Sequence, residues 1–165
     1  MTDDVTLSGT TATLRNTIDS DATARDLTVN ATTTTFQAAL GSNSALDVLT
    51  TDAAGTTSFD TTTLKAAKVA LGDDVVLDQS LTMTVTDDVT IGGSLNSATG
   101  ETNALVINGS VATTDVLFSG HLGDTDKLSS LTINPALSVT ASKSITVTGD
   151  ITLIADEVEI GRAHV

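Results

Sequence analysis

The chain repeats itself at two scales. FQAALGSNSALDVLT (36–50) aligns without gaps on FSGHLGDTDKLSSLT (118–132), matching Phe36 with Phe118, Leu40 with Leu122, Gly41 with Gly123 and Leu49 with Leu131. TDDVTLSG (2–9) returns as TDDVTIGG (86–93), 84 residues later. At the shorter scale, LTVNATTTTF (27–36) is echoed by LTTDAAGTTSF (49–59), 22 residues on. A period of twenty-odd residues is too short for a domain. It suits one coil of a stacked array, in which each unit buries its apolar face only against its neighbours.

Within the repeats, apolar residues alternate with Thr or Asp, as in Leu27-Thr-Val, Leu81-Thr-Met-Thr-Val, Val89-Thr-Ile and Ile145-Thr-Val-Thr. A period of two places Leu, Ile and Val on one face of a strand and Thr on the other. Thr and Val are β-branched and favour the pleated backbone. Strand starts are expected at Val5, Leu27, Leu49, Val75, Val89, Leu105, Leu131 and Ile145. Turn residues such as Gly41-Ser42-Asn43, Gly72-Asp73-Asp74 and Gly92-Gly93 separate them. Thr61–Leu71 (TTTLKAAKVAL) reads either as a strand with a bulge or as a short outer helix.

The expected fold is therefore all-β: a parallel β-helix (β-solenoid) of about seven turns, roughly 30 Å long at the spacing of paired strands. The alternative is an antiparallel β-sandwich. Sandwich cores commonly hold a buried Trp, and this chain has no Trp, no Tyr and three Phe. A narrow solenoid interior suits that shortage of aromatics.

Composition narrows function. The net charge of −14 arises from 21 acids against 7 bases, so the chain would repel nucleic acid. There is no Cys, which removes disulfides, thiol catalysis and Cys-ligated zinc. No apolar run approaches the roughly 18–20 residues of a membrane span, and MTDDVTLSG has neither the basic start nor the apolar stretch of an export signal. Leu, Ile, Val and Phe together make 27% of the chain, enough for a core.

The segments LTVNATTTTFQAALGSNSALDVLTTDAAGTTSF and VALGDDVVLDQSLTMTVTDDVTIGGSLNS resemble the repeats of filamentous haemagglutinin-like and autotransporter-passenger-like β-strand repeat surface proteins. The likeness covers nearly all of residues 2–154. It departs where Ala38-Ala39 stand against Gly120-His121 in the sister repeat. The resemblance implies export to the cell surface or the extracellular space. It also implies a structural or adhesive role, with host-cell, matrix or glycan surfaces as partners through a larger parent protein. The last seven residues, Glu159-Ile-Gly-Arg-Ala-His-Val165, resemble a translated sequencing adapter. On that reading 159–165 is a non-native tail, 1–158 is the solenoid (units near 27–104 and 105–158), and the chain is a fragment of something longer.

No residue is assigned a catalytic, cofactor-binding or metal-ligating role. The acid pairs Asp3-Asp4, Asp73-Asp74, Asp87-Asp88 and Asp124 with Asp126 offer hard oxygen ligands. They are read first as turn formers, with a weak Ca²⁺ site as the alternative. Arg25-Asp26 and Asp126-Lys127 are the acid–base neighbours that a polysaccharide-active solenoid would need. His121 stands alone and reads as a turn residue. Rows of Thr at Thr82/Thr84/Thr86, Thr146/Thr148 and Thr11/Thr13 suggest an alternative function, a Thr-face surface-contact module such as ice binding. A polysaccharide-active enzyme ranks third. The loops Gly41–Ala45 and Gly123–Lys127 are the expected places for any affinity. Uncapped ends would expose strand edges and invite end-to-end association.

Overall fold

A computed structural model describes residues 1–161. In chain order the strands are β1 (Val5–Leu14), β2 (Leu27–Phe36), β3 (Leu46–Thr51), β4 (Thr56–Phe59), β5 (Thr63–Leu71), β6 (Asp74–Leu77) and β7 (Leu81–Val85). There follow β8 (Val89–Ile91), β9 (Leu95–Ser97), β10 (Leu105–Asn108), β11 (Asp115–Phe118), β12 (Leu131–Ala141) and β13 (Ile151–Ile160). All the strand pairings are parallel. The fold is the expected β-solenoid, and the antiparallel sandwich is excluded.

Each turn crosses three faces. On the first, Val5, Leu27, Leu49, Val69, Val89, Val116, Val139 and Val158 stack in one column. Seven turns thus connect eight rungs. On the second, the column is Ala12, Thr34, Thr57, Val75, Leu95, Leu122 and Ile145. On the third it is Ile18, Leu40, Leu64, Met83, Ile107, Ile133 and Leu153. Turn lengths along the first column are 22, 22, 20, 20, 27, 23 and 19 residues. Extra residues leave the wall as loops while the columns hold register.

Alternation explains the burial. In β7 the pattern is buried, half-buried, buried, exposed, buried, with Leu81, Met83 and Val85 inside. Within Thr61–Leu71, the strand β5 begins at Thr63 and no helix forms. Leu64 and Ala66 face inward, Ala67 and Lys68 both face outward, and Val69 and Leu71 face inward again. The doubled outward pair is the corner between two faces, which is why the segment lacks a single period. All three Phe are fully buried; Phe36 and Phe59 stack one turn apart with ring centroids 5.3 Å apart. Phe118 has the small Ala141 above it, so one turn's bulk is offset by the next.

Two expectations need correction. No strand starts at Ile145. Ile145 and Val147 make only isolated bridges, to Leu122 and Leu128. With Gly149 and Asp150 following at once, the stretch breaks before β13. The 82-residue repeat is also not a match of faces. Leu49 lies on the first face and Leu131 on the third. What the copies share is a corner: Gly41 and Gly123 have φ of 65° and 66°, and a side chain on either would strike a carbonyl one turn away, of Lys65 or Thr146. By contrast, the 84-residue repeat returns Val5 to Val89 on one column, four turns on.

Candidate functional site

The acid pairs are the densest chemistry in the sequence, and the structure gives most of them one job. Asp4 Oδ1 accepts the Asp26 N–H at 3.0 Å, Asp26 Oδ1 accepts Val48 N–H at 3.1 Å, and Asp88 Oδ1 accepts Asp115 N–H at 3.3 Å. Asp74 Oδ1 accepts both the N–H and the hydroxyl of Ser94 at 2.8 Å. In each case a carboxylate at the start of a rung caps a backbone donor on the next turn. Asp19 does the same for Asn43 and Ser44. Burial pulls its carboxyl up, but the bonds from Asn43 and Ser44 outweigh that and leave it below its ordinary value. Among the described residues, no three His, Cys, Asp or Glu side chains come together at metal-holding distance.

Asp73 behaves differently, and nothing in its sequence context separates it from Asp74. It sits at the corner between β5 and β6 and is 2% exposed. Thr51 donates its hydroxyl to Asp73 Oδ1 at 2.7 Å, and Thr57 donates to Oδ2 at 2.8 Å. Thr51 Oγ1 in turn accepts the Gly72 N–H at 3.2 Å. Burial pushes the Asp73 carboxyl up, the two Thr bonds pull it down, and the nearby Asp52 adds a smaller upward push; the net direction is up. Asp52 Oδ1 and Thr34 Oγ1 are buried without a partner. This is a polar seam in a mostly apolar interior, with Asp73 and both of its Thr partners buried.

The acid–base neighbours are not brought together. Arg25 forks onto Asp21, with Nε to Oδ1 at 3.2 Å and a second nitrogen to Oδ2 at 3.3 Å. That contact holds the Asp21 carboxyl below its ordinary value. Asp26 turns instead to Val48. Asp126 meets the Thr99 hydroxyl at 3.5 Å, while the Lys127 carbonyl accepts the hydroxyl of the buried Ser97. His121 Nδ1 lies 2.7 Å from Ser144 Oγ, again one turn away. The sequence did not suggest that pair, because 23 residues separate its members. Only the turn length brings them together.

The Thr rows differ between faces: on the second, Thr11, Thr33 and Thr56 stack beside a parallel file of Thr13, Thr35 and Ser58 for three rungs, ending at Asp74 and Val76. On the first face Thr6, Thr28, Thr50, Thr90 and Thr140 share a column, interrupted by Ala70 and Leu117. On the third, Thr82 stacks between Thr63 and Val106, but Thr84 stacks between Lys65 and Asn108. Thr146 and Thr148 lie outside the strands. The second face carries a shallow polar groove of about 270 Å³ lined by Asp74, Ser94, Asn96, Thr99 and Asp126 among others. Asn96 Oδ1 accepts the Thr125 N–H there at 3.1 Å, which fastens the Gly123–Lys127 loop to the wall.

Compared with protein-family models, curated proteins and solved structures, the chain finds no match.

Proposed function

We propose that the chain is a structural rod segment of a larger exported surface protein, without catalytic work of its own. It sits outside the cell or at its surface, and it extends or presents adhesive regions toward host-cell, matrix or glycan surfaces. The observation that carries this reading is the engagement of the polar side chains. The capping aspartates, the Asp73 seam, Ser97, Asn96 and His121 all bond to the next or the previous turn. Chemistry directed inward along the stack is what a spacer needs. A site for turnover needs groups converging on one exposed point.

The test uses antibodies raised against residues 1–158 and applied to intact cells of the source organism. Labelling of unpermeabilised cells is expected. Labelling that requires permeabilisation would overturn the surface role. Thermal hysteresis of the purified chain would point instead to the Thr-face reading.

A further inference from the structure

One corner inside the stack gathers side-chain oxygens from three successive rungs. It lies between the first and second faces, where β2 runs straight through, residues 52–55 join β3 to β4, and Gly72-Asp73 join β5 to β6. Gly72 sits so close to Asp52 that a side chain on it would strike the Asp52 carbonyl at 2.7 Å. Asp52 and Asp73 are therefore neighbours on adjacent rungs. Burial raises the Asp73 carboxyl, and Asp52 is near enough to add to that push. Thr51, next to Asp52 in the chain, and Thr57 each hold one oxygen of Asp73. Thr34 stacks directly beneath Thr57.

Two oxygens at this corner have no partner. Thr34 is fully buried and its hydroxyl makes no hydrogen bond, and the buried Asp52 Oδ1 accepts none. Folded proteins rarely leave such atoms without a protein, water or ion partner. Charge is unbalanced here as well. Among the described residues the ion pairs are Arg25 with Asp21 and Lys68 with Asp88, and neither reaches this corner.

We propose that the corner binds one Ca²⁺, ligated by Asp52 Oδ1, the Thr34 hydroxyl oxygen and the Asp73 carboxylate. Each Asp73 oxygen spends one lone pair on a Thr hydroxyl and keeps another for the ion. A water in the same place would satisfy Thr34 and Asp52 but leave two carboxylates without a countercharge. A divalent cation answers both needs. Hard oxygen donors favour Ca²⁺ or Mg²⁺ over softer transition metals. The mixed set of carboxylates and a hydroxyl suits the flexible coordination of Ca²⁺ better than the strict octahedron of Mg²⁺. Asp52 is itself only half-buried, which gives the ion a path from solvent. Once bound, the ion ties three rungs of the rod together, and it does so whether or not the rod is exported.

Thermal melts of the full chain, followed by circular dichroism after dialysis against a chelator, test this with CaCl₂ and MgCl₂ at equal ionic strength. Two carboxylates are few for calcium, so the expected Kd is weak, about 10⁻⁴–10⁻³ M. About 5 mM CaCl₂ is then expected to raise the wild-type midpoint by about 2–9 °C, and MgCl₂ by clearly less. Calcium also gathers at the surface of a chain with net charge −14, so the control is Asp74→Asn, which removes the same charge from the exposed neighbour. That variant is expected to keep the calcium shift. Asp52→Asn and Thr34→Val are expected to lose it while keeping the wild-type spectrum. If Asp52→Asn fails to fold, Thr34→Val decides alone, since it swaps a hydroxyl for a methyl of the same size. A wild type unmoved by calcium, an equal shift with magnesium, or a full calcium shift in folded Asp52→Asn or in Thr34→Val would each overturn the proposal.

Discussion

Val69 and Val158 are the same residue on the same column, with opposite surroundings. Val69, in the third turn, is fully buried; Val158, on the last rung, is 44% exposed. Their sequence contexts do not separate them, because each sits in an alternating strand with apolar residues two positions away. Burial in this molecule belongs to the position of a rung in the stack. A side chain is inside only when a turn lies both below it and above it, so the middle turns carry most of the stability.

Charge insertion tests that contrast most severely. Leu49→Asp or Leu131→Asp puts an unpaired carboxylate into a closed column. Urea unfolding is expected to show a loss of about 3–5 kcal/mol, with neighbouring turns opening together. Val158→Asp, on the open rung, is expected to lose no more than about 1 kcal/mol. Equal losses at both positions would break the comparison.

Two corner glycines sharpen it. Gly120→Ala forces a methyl against the Gly93 carbonyl and is expected to lower stability by about 1–3 kcal/mol. Gly9→Ala meets nothing within 4 Å and is expected to leave the thermal midpoint unchanged or slightly higher. A thermal melt of the two variants side by side decides it.

Buried and exposed carboxylates should separate by pH. The folded state raises the Asp73 pKa above its ordinary 3.8, so the native state binds this proton more tightly than the unfolded chain does. The Asp73 contribution to stability therefore falls as pH rises from about 3.8 to the raised value, and is flat above it. Asp19 runs oppositely, because its folded pKa is lowered: its contribution is present above 3.8 and is lost as pH falls below. Asp73→Asn is expected to remove the falling segment from a plot of stability against pH. Asp19→Asn is expected to remove the loss at the acid end. The smallest effect is expected at the outward-facing, half-buried pair of Lys68 and Asp88, 3.2 Å apart. Lys68→Met should change stability by no more than about 1 kcal/mol, and less in high salt.

The architecture was legible because its two signals are local. Leu27-Thr-Val and Val89-Thr-Ile declare their buried face by alternation alone, and the 22-residue echo declares the turn, since Leu27 does pair with Leu49. Corners are harder to read. Ala67-Lys68 breaks the alternation of β5 without a Gly or Pro to announce it. The Phe36 and Phe118 copies preserve a bend while moving to different faces. The polar contacts were not legible at all. Asp73 and Asp74 are chemically identical neighbours, and which one turns inward depends on Thr51 and Thr57, 22 and 16 residues away. Likewise Arg25 pairs with Asp21, while its sequence neighbour Asp26 accepts the Val48 N–H.

The first and last described rungs lie at opposite ends of the stack, with every strand crosswise to the line between them. Tension applied through Val5 and Ile160 therefore loads the backbone bonds between turns directly, one turn at a time, instead of shearing a whole sheet at once. Because each turn touches only its neighbours, the stack should peel rather than snap. Every lost turn of about 20 residues would release about 70 Å of slack, so the segment would act under load as a shock absorber that lengthens in steps.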